Sequence, residues 1–180
     1  MDLPATDALN ALPDDEFASA LAPLFEGAPS LLRRLAAARP FESDDALLAA
    51  AHDAAATAPE AELLELLDAH PRIGAEAAVM STMSREEQSD DGPDEASGDA
   101  PGVVEDLLVL NEIYEQRFGF RYVVFVAGRP RSAIVPLMEA ALRNDREAEL
   151  RRGVQDAIYI AGDRIRRARG VDDDPEEDGS

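Results

Sequence analysis

Apolar positions recur at helical spacing along most of the chain. Residues 12–26, "LPDDEFASALAPLFE", set Phe17, Leu21 and Leu24 on one face behind an acidic first turn. "PSLLRRLAAA" (29–38) follows and stops before Arg39-Pro40, because proline cannot extend a helix and turns the residue before it away from helical geometry. "SDDALLAAAHDAAATA" (43–58) opens on Ser43, an N-cap with acids behind it. "PEAELLELLDA" (59–69) carries Pro59 in its first turn and runs up to His70. Further on, Val103, Leu107, Leu110, Tyr114 and Phe118 form one stripe, with Gly119 as the stop. Ile134, Leu137, Met138, Ala141 and Leu142 align within 132–144, and a last helix over 145–168 carries Leu150, Val154, Ile158, Ala161 and Ile165. Residues 89–102 read as a loop rich in Gly, Pro, Ser and Asp, and 171–180 as an acidic, disordered tail. The pattern predicts an all-α fold: a single compact multi-helix domain over residues 1–170, without internal repeats.

One segment breaks this rhythm. "FRYVVFVAG" (120–128) is aromatic and β-branched and reads as a strand, yet no second convincing strand exists for it to pair with. An extended segment among helices leaves its backbone groups in need of partners. Those groups can serve a ligand, or the stretch can be a short helix of poor propensity or a plain core segment. Composition alone leaves these open.

Composition narrows the chemistry. The 180 residues contain no cysteine, so disulfides, thiolate catalysis and zinc–thiolate sites are excluded. All 17 basic residues are arginine, against 38 acidic ones, for a net charge of −21. So acidic a surface repels nucleic acid and anionic membranes. Because the acid is spread along the chain, adaptation to high salt is favoured over an acidic partner-binding role. No apolar run approaches bilayer length, and "MDLPATDALNAL" lacks the basic and apolar regions of a signal peptide, so a soluble, cytoplasmic protein is expected.

Two histidines are present, and they match no local metal motif. His52 lies inside an alanine-rich helix without distinctive neighbours and reads as structural or solvated. His70 opens "HPRIG" (70–74), where Pro71 forces a helix exit and fixes the histidine's backbone near the surface or a cleft. In "SREEQ" (84–88), Ser84 reads as an N-cap with Glu87 as its capping-box partner. The functional alternative has Glu87 orienting His70 and raising its pKa for acid–base work, with Ser84 and Gln88 offering polar contacts. Arg164 falls on the border of the last helix's apolar stripe, where an arginine either snorkels outward or grips an anionic ligand.

Together these stretches resemble the 2-oxo-4-hydroxy-4-carboxy-5-ureidoimidazoline (OHCU) decarboxylases of urate degradation. The resemblance runs from "LNALPDDEF" (9–17) through "ARPF" (38–41), "HPRIG", "SREEQ", "LNEIYEQRFGFRYVVFV" (110–126) and "LRN" (142–144) to "IAGDRI" (160–165). Each motif is weak alone; together and in order they are specific. The resemblance implies decarboxylation of an anionic ureidoimidazoline to (S)-allantoin, no metal or organic cofactor, and a homodimer. It implies that His70 is the catalytic histidine with Glu87 supporting it. It also implies that Pro71, Ser84, Arg85, Glu86, Gln88 and Arg164 line the substrate site, and that Tyr122, Val123, Val124, Phe125 and Val126 hold the ring by their main chain. Arg121 stands where many members have proline, a change expected to loosen the chain before Tyr122, and the loop after Gln88 is unusually acidic. A non-catalytic helical interaction module, or a decarboxylase of a related ureido acid, are the alternative readings.

Overall fold

The computed structural model describes residues 3–74 and 102–170. Eight α-helices lie in these residues: α1 (Thr6–Ala11), α2 (Asp14–Leu21), α3 (Pro29–Ala37), α4 (Asp44–Thr57), α5 (Glu60–Ala69), α6 (Val103–Phe118), α7 (Arg131–Ala141) and α8 (Arg146–Ala168). No strand is present among the described residues. The all-α expectation holds. The 171–180 tail, the 89–101 part of the loop and all of Ser84 to Gln88 lie outside the described residues.

Helix α8 is the axis. The 3-10 turn Ala22–Leu24, α4 and α5 all pack on it, α3 bridges α2, α4 and α5, and α6 pairs with α7. The five apolar residues expected to line α8 are all buried, as are Phe17, Leu21 and Leu24 opposite. Close approach of α5 to α8 depends on Gly153, since a Cβ there would come within 3.3 Å of the Leu67 methyls. Ser43 caps α4 as expected, its Oγ accepting from the Ala46 N–H at 3.1 Å. Gly119 ends α6 at φ 80°.

Several local expectations change. The helix foreseen over 12–26 splits, because α2 ends at Leu21 and Pro23 sits in the 3-10 turn that follows. Pro59 is the N-cap of α5 rather than a member of its first turn. Helix α1 is too short to show a periodic stripe, although Leu9 is buried. On α6 the core position is taken by Asn111 instead of the half-buried Leu110. Its Nδ2 donates to Ile73 O at 2.9 Å and Leu107 O at 2.7 Å, so a polar side chain is stable there. On α7, Leu137 is exposed.

Ion pairs such as Arg34–Glu62, Arg146–Glu60 and Arg169–Asp44 stitch the surface. Exposed pairs stabilise by well under about 1 kcal/mol each, whereas the net charge of −21 repels over the whole molecule. Salt should therefore help. Raising KCl from about 0.1 M to about 1 M shortens the screening length from ~10 Å to ~3 Å, and the thermal unfolding midpoint should rise. A falling midpoint in calorimetry would show that the ion pairs outweigh the repulsion.

Candidate active site

The helix exit foreseen at Pro71 is where His70 sits. His70 is the C-cap of α5, with φ −72° and ψ 143°, the extended geometry that a following proline imposes. The imidazole folds back on its own helix, bringing Nδ1 to 2.9 Å from Leu66 O. A carbonyl only accepts, so Nδ1 carries the proton and Nε2 keeps its lone pair. Nε2 is buried and has no hydrogen-bond partner among the described residues. Leu66 O thus fixes the tautomer from the main chain; Glu87, expected to orient the ring, lies outside the described residues.

Helix α6 holds the "HPRIG" turn in place. Arg72 grips Glu115 with two bonds, Nε to Oε1 at 2.8 Å and Nη2 to Oε2 at 2.6 Å, while Asn111 holds Ile73 O. Arg121, expected to loosen the chain, tethers it instead. Its N–H donates to Asp68 Oδ1 at 3.2 Å and its Nη1 to His70 O at 2.6 Å.

A cleft opens beside His70. Pro71, Arg164 and all of Tyr122 to Val126 line it, so the described residues of the expected site converge on one cavity. Ser84, Arg85, Glu86, Glu87 and Gln88 lie outside the described residues. His52 is exposed on α4, edge-on to Tyr159 at 6.2 Å, and takes no part.

Arg164 is not at the border of the core but inside it, fully buried. A guanidinium taken out of water needs acceptors and a countercharge. Nη1 donates to Pro23 O at 2.8 Å and Leu24 O at 3.3 Å, and Nη2 to Glu26 Oε1 at 2.7 Å. Glu26 itself sits at φ 50°, left-handed geometry that costs a non-glycine residue roughly 1–2 kcal/mol. Glu26 stands there as the countercharge of the buried Arg164.

The segment after Phe120 is extended and unpaired by any strand, as expected. It ends at Ala127 and Gly128, at φ 52° and 70°, where Arg129 folds back on the carbonyls of Phe125 and Val126. Tyr122, Val123 and Val124 are buried, and they line the cleft together with Phe125 and Val126.

Ile73, Ala127, Gly128, Ile160, Asp163 and Arg167 also line the cavity and were not singled out from sequence. Ile160, Asp163, Arg164 and Arg167 follow i, i+3, i+4, i+7 spacing, so the face of α8 that carries Arg164 could have been read from the helical wheel. Asp163 stands between two arginines, Oδ1 accepting from Arg166 Nη2 at 3.0 Å and Oδ2 lying 3.0 Å from Arg167 Nε. Among the described residues no group of three His, Cys, Asp or Glu is placed to hold a metal ion.

Burial drives the His70 pKa down to about 4, against the help of the Leu66 carbonyl, with the positive charge of Arg164 adding to the fall and Glu26 resisting it. The imidazole is therefore neutral at pH 7 with Nε2 unprotonated, and it lines one cleft with Arg164. Such a pair can bind a carboxylate, accept a hydroxyl proton and return it.

A family model described as OHCU decarboxylase matches residues 10–166 of this chain. The 2-oxo-4-hydroxy-4-carboxy-5-ureidoimidazoline decarboxylase of Haloferax volcanii is 33% identical over 153 residues, covering 85% of this chain and 89% of that protein. The protein of the same name from Halalkalicoccus jeotgali is 30% identical over 157 residues, covering 87% of each. A crystal structure of OHCU decarboxylase in the presence of (S)-allantoin shares the fold, with a TM-score of 0.66 at 17% identity over 87% of this chain and 97% of that one.

The linkage at His70 gives a test. Its folded pKa lies below the ordinary 6.5, so in the window from about 6.5 down to 4 the unfolded chain binds the proton first. This group's contribution is full above pH 6.5 and is lost on acidification through that window, by roughly 3 kcal/mol in all. His70→Asn retains a donor for Leu66 O but does not titrate. Urea unfolding should show a shallower loss of stability between pH 7 and 4 for His70→Asn than for the parent, and NMR should place the imidazole midpoint near 4; a midpoint near 6.5 would refute the assignment.

Proposed function

This chain belongs to the OHCU decarboxylase family, and from that premise we propose that it decarboxylates 2-oxo-4-hydroxy-4-carboxy-5-ureidoimidazoline to (S)-allantoin and CO2 in urate degradation. The observation that carries the reading is the buried, neutral His70, with its Nε2 lone pair, lining one cleft with the Arg164 guanidinium and the main chain of Tyr122 to Val126.

The substrate carbon that loses CO2 bears a hydroxyl and adjoins the ureido-bearing carbon of the ring imine. His70 Nε2 accepts the hydroxyl proton while Arg164 holds the substrate's negative charge. The C–C bond to the carboxylate breaks, CO2 leaves, and the bonding pair passes into the ring and onto the imine nitrogen, which takes a proton from solvent. The hydroxyl carbon becomes a carbonyl. The proton held at Nε2 is then delivered to the ureido-bearing carbon from one face, and that delivery sets the product's hand. Net, one proton is consumed for each CO2 released. The ring itself takes up the electrons, so His70 needs to manage only protons, and orientation by Arg164 and by main-chain groups of 122–126 supplies alignment. Pro71 keeps the imidazole at its station. Glu87, with Ser84, Arg85, Glu86 and Gln88, is assigned by family resemblance to complete the site, Glu87 supporting His70 and the others contacting substrate.

We assign the enzyme to the cytoplasm and read its acidic, lysine-free surface as an adaptation to a saline interior. We also propose a homodimer. Helix α6 leaves Val104, Leu108, Val109 and Ile113 exposed by 40 to 56%, a concentration of apolar surface that a second copy would cover.

Freshly generated OHCU followed by circular dichroism should give a fast (S)-allantoin signal with the parent protein, and His70→Asn should cut kcat by about 100-fold or more. Parent protein that does not outpace spontaneous decay, or a His70→Asn variant of full activity, would overturn the assignment. In analytical ultracentrifugation Leu108→Asp with Ile113→Asp should sediment as a monomer where the parent sediments as a dimer; a monomeric parent would remove the dimer.

A further inference from the structure

Behind the extended segment lies a polar cluster that the reaction above leaves unused. Glu149, wholly buried on α8, accepts from Tyr114 Oη at 2.7 Å and from Asn144 Nδ2 at 2.7 Å. Arg152, one turn on, donates to Glu149 Oε2 from Nε at 3.0 Å and Nη2 at 2.9 Å. Its Nη1 reaches Asp156 Oδ2 and Val123 O, both at 2.8 Å, and its guanidinium lies over the Tyr122 ring, 4.7 Å from the centroid. Burial alone would favour a protonated Glu149, but its bonds from Arg152, Asn144 and Tyr114 hold the carboxyl below its ordinary value, so the cluster is a true ion pair.

We infer that Arg152 is a positioning residue for the reaction, acting on the substrate through the main-chain edge that it fixes at Val123. The inference rests on the decarboxylase reading of the cleft. In extended chain the backbone groups of successive residues point to opposite edges. Val123 C=O is taken by Arg152 and Phe125 C=O by Arg129, so one edge is committed to protein partners. Val124 N–H and C=O belong to the other edge and have no hydrogen-bond partner among the described residues, while Val124 itself lines the cleft. A slip of one residue would exchange the two edges and turn the unused groups away from the substrate. Arg152 resists that slip because a planar fork meets Glu149, Asp156 and Val123 O together, which a point-like ammonium cannot. Its anchor is stiff, since Glu149 is locked by two further donors from α6 and the α7–α8 turn.

Two variants test this. Arg152→Lys keeps a cation beside Glu149 but gives up the simultaneous reach to Val123 O. Arg152→Met combined with Glu149→Gln removes both charges, so neither is left buried alone. Steady-state kinetics on OHCU, with the handedness of the allantoin read by circular dichroism, should show KM raised about tenfold or more, kcat changed by less than about threefold, and a lower excess of the S product, while far-ultraviolet spectra stay those of the parent. A purely structural residue would lower the melting temperature and leave KM of the folded protein alone. Either variant folded with KM within about twofold of the parent overturns the inference, as does failure of both to fold, which would assign Arg152 to stability. A parent that does not accelerate decay of OHCU refutes the reading of the cleft and takes this inference with it, a result seen before any variant is made.

Discussion

The burial of one positive charge organises this molecule. Arg164 has no contact with bulk water, and the free energy of removing an isolated guanidinium from solvent would exceed the stability of a small domain several times over. The chain meets the demand with two carbonyls from the 3-10 turn and a carboxylate from Glu26, groups about 140 residues away in sequence. That requirement ties the N-terminal turn to α8 and bends Glu26 into left-handed geometry. It also places the paired guanidinium at the wall of the cleft. His70 lies in the same field, which is one reason its imidazole stays neutral.

Around that charge, each other part of the site is placed by a local conflict resolved in favour of structure. Pro71 forbids another helical residue, so α5 ends at His70 and the ring turns back onto the carbonyl of Leu66. The extended segment lacks a partner strand, so side chains of α8 and Arg129 take over the bonds that a neighbouring strand would have made. Asn111 and Glu115 on α6 do the same for the turn after His70. The result is a cavity whose polar groups are oriented before any substrate arrives, the condition under which dipoles and charges contribute most to a reaction.

Much of this was legible in the sequence, and the exceptions share a cause. Helix stripes, the Ser43 cap, the Gly119 stop and the exit at Pro71 are set by near neighbours, and local pattern predicts them. The odd composition of 120–128 also announced an extended stretch. What pattern could not give was any feature decided by a remote partner. Arg164 reads as a border residue because Glu26 is invisible from α8. Leu110 joins the stripe in the sequence pattern because the acceptor that lets Asn111 be buried, Ile73 O, lies in another loop. Arg121 reads as a disruption until Asp68 and His70 O are beside it. The lowering of the His70 pKa is equally invisible in the pattern, because its cause is burial and burial is a property of the whole fold.

Arg164 and the many exposed carboxylates also differ in what reaches them. Mobile ions crowd around exposed groups and screen them, but they do not enter a dry interior, where the fields of Arg164, Glu26 and Glu149 act through protein. The molecule therefore has two electrical compartments, an outer one that follows the composition of its surroundings and an inner one insulated from it. Lineages of this fold can exchange surface acid for base, and so move between dilute and concentrated media, without retuning the groups that face the substrate.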